Sequence, residues 1–95
     1  LIGTVGGAKG LNCGYCGYKD CKEMFEKGNH CAFDDIDLGI AIGSAVAAAA
    51  DERVDNRVML SAGIAATNLH ILGEKTVKVL AIPLSATGKS PYFDR

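Results

Sequence analysis

Residues 34–50 read DDIDLGIAIGSAVAAAA and predict a long helix. Asp34 or Asp35 can cap it, because an aspartate side chain accepts a hydrogen bond from the first free N–H groups of a helix. The helix would run to about Ala50 and is apolar nearly all round, so we expect it to be buried by missing residues or by a dimer partner. Small residues recur every four positions on one face, where another backbone can approach closely: Gly39, Gly43 and Ala47.

The residues after this helix predict a second helix between two strands. We expect a short strand at 57–60, and then a helix that Ser61 caps and that Gly73 closes after about Leu72. Residues 76–82 alternate and are rich in valine and isoleucine, which is typical of a buried strand. The expected fold is therefore α+β, with buried apolar helices packed on a small sheet and a cysteine-rich metal-binding loop segment.

The chain divides into three parts of one domain. Residues 1–10 hold a short apolar run and then a glycine-rich run, which predicts a strand leading into a flexible loop. Residues 11–33 hold every cysteine, and within them residues 19–27 predict a short helix with Asp20 and Glu23 near its start and Gly28 as its stop. Residues 34–95 form the α/β core region. Because the chain opens without methionine and inside an apolar run, we expect it to be the C-terminal portion of a longer protein.

Composition excludes several classes of function. Of the 95 residues 48% are hydrophobic and 22% are charged, and the net charge is −1. With this charge balance we do not expect the chain to attract nucleic acid or an anionic membrane electrostatically. The longest apolar run is shorter than the roughly 20 residues of a membrane span, and the start lacks the basic region of a signal peptide. We expect a cytoplasmic protein that binds neither nucleic acid nor membrane.

The cysteines are the candidate metal ligands. Their spacing is Cys-x2-Cys-x4-Cys-x9-Cys, at Cys13, Cys16, Cys21 and Cys31. Two cysteines two apart on a tight loop can bind one metal centre, and Gly14 and Gly17 let the backbone fold around it. Four thiolates suit a [4Fe–4S] or [2Fe–2S] cluster, and they also suit structural zinc. We expect one site formed by all four cysteines, with a [4Fe–4S] cluster as cofactor.

Two other uses of the cysteines remain open from the residues alone. Structural zinc is the alternative cofactor, although zinc sites commonly show two separate Cys-x2-Cys pairs. A disulfide framework needs an oxidising compartment, for which the sequence shows no export signal. His30, beside Cys31, could replace a cysteine as ligand, but we expect a solvated loop histidine.

Four segments carry a resemblance to a known family: residues 11–18 (LNCGYCGY), 31–34 (CAFD), 37–41 (DLGIA) and 88–95 (GKSPYFDR). Together they resemble a family of bacterial and archaeal proteins described as uncharacterised proteins containing a ferredoxin domain. The resemblance covers nearly the whole chain, and all four cysteines match the positions expected of cluster ligands. It also implies that a further N-terminal part precedes Leu1, and it implies no reaction.

A second and fainter similarity concerns element order. The predicted helix, strand, helix and strand of residues 37–83 are similar in order to the C-terminal half of nitroreductase-like flavoproteins, which implies FMN as a further cofactor. Asp55, Asn56 and Arg57 could line a flavin pocket, but a turn with a strand or helix start is the interpretation we favour.

Three functions follow from these patterns. The first is an iron–sulfur electron carrier that serves a redox partner protein. The second is a flavin-linked oxidoreductase of nitroreductase-like type, fed by the cluster and assembled as a homo-oligomer. The third is a zinc-stabilised interaction module without a redox role.

Overall fold

Three helices and two short antiparallel ladders form the part of the chain that this computed structural model describes, residues 1–7 and 9–92. In chain order the elements are β1 (Ile2–Thr4), α1 (Cys21–Glu26), α2 (Ala32–Asp51), β2 (Asp55–Asn56), α3 (Leu60–Asn68), β3 (Lys78–Leu80) and β4 (Leu84–Ser85). Helices and antiparallel strands follow one another without a parallel crossover, so the predicted α+β class is confirmed.

The predicted small sheet is divided into two ladders of two strands. β1 pairs with β3, with Ile2 opposite Leu80, and the Val77 amide extends this ladder by donating to the Thr4 carbonyl at 2.9 Å. β2 pairs with β4, with Asp55 opposite Ser85. Pairing after Pro83 was not predicted, because proline commonly ends a strand and the two residues of β4 are too few to show a pattern.

The long helix begins earlier than predicted. Its N-cap is Cys31, in an extended conformation with φ −64° and ψ 131°, and neither Asp34 nor Asp35 caps it. The Asp34 amide donates to the Cys31 carbonyl at 3.1 Å, so both aspartates lie inside the first turn. Acidic side chains are favourable in the first turn of a helix, near the positive end of its dipole. Aspartates are common both there and at the N-cap position, so the sequence alone does not distinguish the two. The start of α2 therefore carries a candidate metal ligand.

Within this chain the long helix is buried on one side only, and its expected cover by missing residues or by a dimer partner stays a prediction. One side packs against β1 and β2 through Leu38 and Ile42, which are both 7% exposed. On the opposite side Ile36 is 46% exposed and Ile40 is 67% exposed. An apolar sequence shows that a helix can be buried, but the elements around it decide which side is covered.

The second helix is shorter than predicted, and the strand expected at 57–60 is absent. Met59 makes only an isolated bridge to Ala81, and the chain enters α3 at Leu60 with Met59 rather than Ser61 as N-cap. α3 ends at Asn68, because His70 adopts a left-handed conformation with φ +53° that cannot continue a right-handed helix.

The core lies where α2 and α3 meet the β1–β3 ladder. The buried apolar residues of the described chain are Met24, Cys31, Leu38, Ile42, Ala66, Val79 and Ala81. Met24, which is 1% exposed, is the buried residue of α1, within the cysteine-rich segment. None of the described helices is both long and apolar enough to cross a membrane.

Candidate metal centre

The first cysteine pair lies on a tight turn. The Gly17 amide donates to the Gly14 carbonyl at 3.0 Å, so the chain reverses between Cys13 and Cys16. Gly14 and Gly17 have φ values of +76° and +89°, a region that other residues rarely adopt. Cys13 is exposed and Cys16 is half-buried. The predicted glycine-assisted turn is confirmed, and it separates the two cysteines by two residues.

Asn12 joins the start of this turn to the third cysteine. The Asn12 side-chain oxygen accepts a hydrogen bond from the backbone amide of Cys21 at 3.0 Å. The backbone amide of Asn12 in turn donates to the Cys21 sulfur at 3.4 Å. This reciprocal contact closes the loop that contains Cys13 and Cys16. An N–H donor at a sulfur stabilises the thiolate form that a metal requires.

A capping arrangement fixes Cys21 at the first position of α1. The Asp20 carboxylate accepts from the Glu23 amide at 2.8 Å, and the Glu23 carboxylate accepts from the Lys19 amide at 3.0 Å. The two acidic side chains satisfy N–H groups that a helix start would otherwise leave free. The thiol of Cys21 is thus placed by a defined helix end rather than by a flexible loop.

The fourth cysteine is the most protected. Cys31 is 6% exposed and lies at the N-terminal end of the 20-residue α2. Of the four thiols, that of Cys31 is therefore the one held inside the protein, at a defined helix start.

Two side-chain contacts draw the Cys13–Cys21 segment towards Cys31. Tyr15 stacks on Phe33 with ring centroids 5.7 Å apart and planes 13° apart, and the Asn29 amide group donates to the Tyr18 hydroxyl. Tyr15 lies between the first two cysteines, and Phe33 follows Cys31 by two residues. The first two cysteines and the start of α2 are therefore neighbours.

The thiols are not gathered into a finished coordination shell. All four cysteines are free, but within residues 1–7 and 9–92 no group of three or more His, Cys, Asp or Glu side chains is placed so that it could hold a metal ion. The chemistry of four thiols on adjacent segments fits an iron–sulfur cluster or zinc. The four-cysteine ligand set stays a prediction, and His30 is an exposed loop residue.

Lys9, just before the cysteine segment, forms ion pairs with α2 just after it. The Lys9 Nζ lies 3.2 Å from Asp34 Oδ1 and 3.3 Å from Asp37 Oδ2. The Asp34 side chain is only 9% exposed, and its Oδ2 has no hydrogen-bond partner among the described residues. No motif marks this contact, because Lys9 stands in a glycine-rich loop and its partners look like ordinary first-turn aspartates.

The lysine contact predicts a pH dependence. The hydrogen bond to Asp34, followed by that to Asp37, raises the pKa of Lys9 above its ordinary value of 10.5. A cation whose pKa is raised by folding contributes its full stabilisation below 10.5 and loses it as the pH rises through the folded-state value. We expect the difference in thermal midpoint between the wild type and Lys9→Met to be constant from pH 7 to about 10 and to shrink at higher pH. A difference that persists unchanged to pH 12 would contradict the assignment.

The sequence profile of a family described as "Uncharacterized protein containing a ferredoxin domain (DUF2148)" matches residues 27–95. The chain belongs to this family. The resemblance stated from the sequence is thereby confirmed. The matched range begins after Cys21 and includes Cys31, so the family assignment rests mainly on α2 and the elements after it rather than on the cysteine spacing.

A relative of this chain is an uncharacterised protein of Archaeoglobus fulgidus. The two are 47% identical over 105 residues, an alignment that includes all of this chain and 55% of the relative. The chain thus spans about half the length of that relative. No solved structure matches the chain, and the similarity to nitroreductase-like flavoproteins, with its FMN, stays a prediction.

The residues considered for a flavin pocket have structural roles. Asp55 and Asn56 form β2, and the Asn56 side chain donates to the Val54 carbonyl at 3.2 Å. The Arg57 guanidinium donates to the Tyr92 carbonyl at 3.2 Å. The favoured interpretation, a turn with a strand or helix start, holds in part: a two-residue strand forms at Asp55–Asn56, although the strand expected at 57–60 does not. Asp94 and Arg95, which end the last resemblance segment, lie outside the described residues.

Proposed function

We propose that this chain binds a [4Fe–4S] cluster and transfers single electrons to a redox partner protein. The ligands are Cys13, Cys16, Cys21 and Cys31. One observation carries the proposal: four free thiols lie on two neighbouring segments that the Tyr15–Phe33 stack holds together, in a member of a ferredoxin-domain family. A cytoplasmic location and a homo-oligomeric state are expectations from the sequence.

The two segments have different roles in this proposal. Cys31 is 6% exposed at the start of a long helix and acts as the fixed ligand. Cys13 and Cys16 lie on a glycine turn that can adjust towards Cys31 as the metal binds. The Asn12 amide keeps its hydrogen bond to the Cys21 sulfur and stabilises negative charge there. The bound cluster supplies one-electron redox chemistry.

The exposed side of the centre is the expected route for electrons. Cys13 is exposed, and Tyr15 beside it is 73% exposed although its ring stacks on Phe33. A partner can therefore approach the Cys13–Cys16 turn without displacing the core. Cys31 lies on the protein side, where it shields the centre from water.

The test is a determination of iron, sulfide and zinc in protein purified without oxygen, with an electron paramagnetic resonance spectrum after reduction. We expect about four irons and four sulfides per chain and a reduced-cluster signal. One zinc without iron would instead support the zinc-stabilised module. Flavin released on denaturation would favour the flavin-linked oxidoreductase.

A further inference from the structure

The Lys9 contact encloses the whole candidate centre. Lys9 precedes Cys13 by four residues and Asp34 follows Cys31 by three, so the ion pair between them closes a loop that contains all four cysteines. The second carboxylate, of Asp37, lies one helical turn further along α2. One ammonium group therefore joins the chain that enters the cysteine segment to the helix that leaves it.

We infer that Lys9 is a positioning residue for the metal centre, which it serves by holding the Cys13 end of the segment against the Cys31 end. This inference rests on the proposed function. Lys9 is not a ligand. Closing the loop limits the conformations of the metal-free segment, so less conformational freedom is lost when the four thiols converge.

One partner of the contact is buried, although the Lys9 side chain itself is 43% exposed. The Asp34 side chain is 9% exposed, and an unpaired carboxylate in such a position is strongly disfavoured. The Asp34 amide also donates to the Cys31 carbonyl at 3.1 Å, so a displacement of Asp34 towards water would disturb the turn that holds Cys31. Lys9 therefore stabilises the position of one ligand as well as the closure of the loop.

Charge gives Lys9 a second effect on the centre. Four thiolates around a cluster leave the site anionic, and Asp34 and Asp37 add two carboxylates beside its fourth ligand. The Lys9 ammonium, at 3.2 Å and 3.3 Å from these carboxylates, offsets that charge. Without it, the site repels the electrons that a cluster must accept, so the reduction potential should fall.

A second ion pair supplies a matched control. The Lys78 Nζ lies 2.7 Å from Asp35 Oδ1 and 2.8 Å from Oδ2, so it too is bound to the first turn of α2. Lys78 lies on β3, however, and its contact encloses none of the cysteines. If the anchoring of the helix alone were important, loss of Lys78 would have the same effect as loss of Lys9.

The experiment compares the full chain as wild type, Lys9→Met, Lys9→Arg and Lys78→Met. Each protein is reconstituted with iron and sulfide without oxygen, and the half-life of the cluster absorbance is measured in excess chelator. We expect Lys9→Met to shorten the half-life about five-fold and to lower the reduction potential. Lys9→Arg should restore both values, and Lys78→Met should stay close to the wild type.

Each outcome decides the inference. Equal half-lives for the wild type and Lys9→Met would overturn it and leave the proposed function intact, and equal losses in Lys9→Met and Lys78→Met would also overturn it. A wild type that takes up no iron would overturn both proposals.

If Lys9→Met does not fold, Asp37→Asn replaces it in the experiment. The Asp37 side chain is 59% exposed, so its substitution is not expected to prevent folding. It should shorten the half-life by a smaller factor, and an unchanged half-life would overturn the inference.

Discussion

Replacing Gly63 by alanine is expected to destabilise the fold by about 3 kcal/mol or more. Gly63 is buried on α3 against β3. A methyl group there would lie 2.9 Å from the Val79 carbonyl carbon and 3.0 Å from the Leu80 Cα, and still closer to the Val79 oxygen. These are backbone atoms, so no side-chain rotation relieves the overlap and the helix must move off the strand.

Urea unfolding followed by circular dichroism measures this effect. A chain of this size has a stability of about 5–14 kcal/mol, and a loss of about 3 kcal/mol lowers the urea midpoint by about 2 M for a slope near 1.5 kcal/mol/M. Gly39→Ala and Gly43→Ala are matched controls, because nothing lies within 4 Å of a methyl group at either position. Both should stabilise α2 by about 0.5–1 kcal/mol. An unchanged midpoint for Gly63→Ala would contradict the packing of α3 on β3.

Replacing any one of the four cysteines by serine is expected to reduce bound iron from about four to less than about one per chain. A serine hydroxyl is a harder and less acidic ligand than a thiol, and a cluster requires a complete set of soft donors. The largest loss is expected for Cys31→Ser, since Cys31 is 6% exposed and is the candidate ligand fixed at the start of α2. Iron and sulfide analysis after anaerobic reconstitution gives the result.

His30→Ser is the control for the cysteine series. His30 is adjacent to Cys31 but exposed, and we expect this variant to retain the wild-type iron content. Loss of iron in His30→Ser together with its retention in Cys31→Ser would move the fourth ligand from the cysteine to the histidine. Retention of the wild-type iron content in any one of the four serine variants would contradict the four-thiol assignment.

The sequence predicts features that depend on local chemistry. Positive φ at Gly14 and Gly17 follows from the need for a tight turn between two cysteines. The helix that begins at Cys21 is recognisable from Asp20 and Glu23 near its start. The residue range of α2 is close to its prediction, because residues 38–50 form an apolar run without proline or charge that has few other local conformations.

Features that depend on distant residues could not be predicted in this way. Met59 belongs to a run with the composition of a strand, but only Ala81 bridges to it, and the chain turns into α3 at the next residue. The exposure of Ile40 depends on which elements lie beside α2. The contact of Lys9 with Asp34 joins residues that share no pattern, and only the three-dimensional path of the chain brings them together.

The register of β1 against β3 also constrains the order of events on the ribosome. Ile2 is synthesised well before Leu80, with which it pairs, so this ladder cannot close until almost the whole described chain has been synthesised. All four thiols emerge well before that point. Nascent chains should therefore be able to recruit metal, or to suffer oxidation, before the ladder is in place, and the supply of iron and sulfide during translation would decide which occurs.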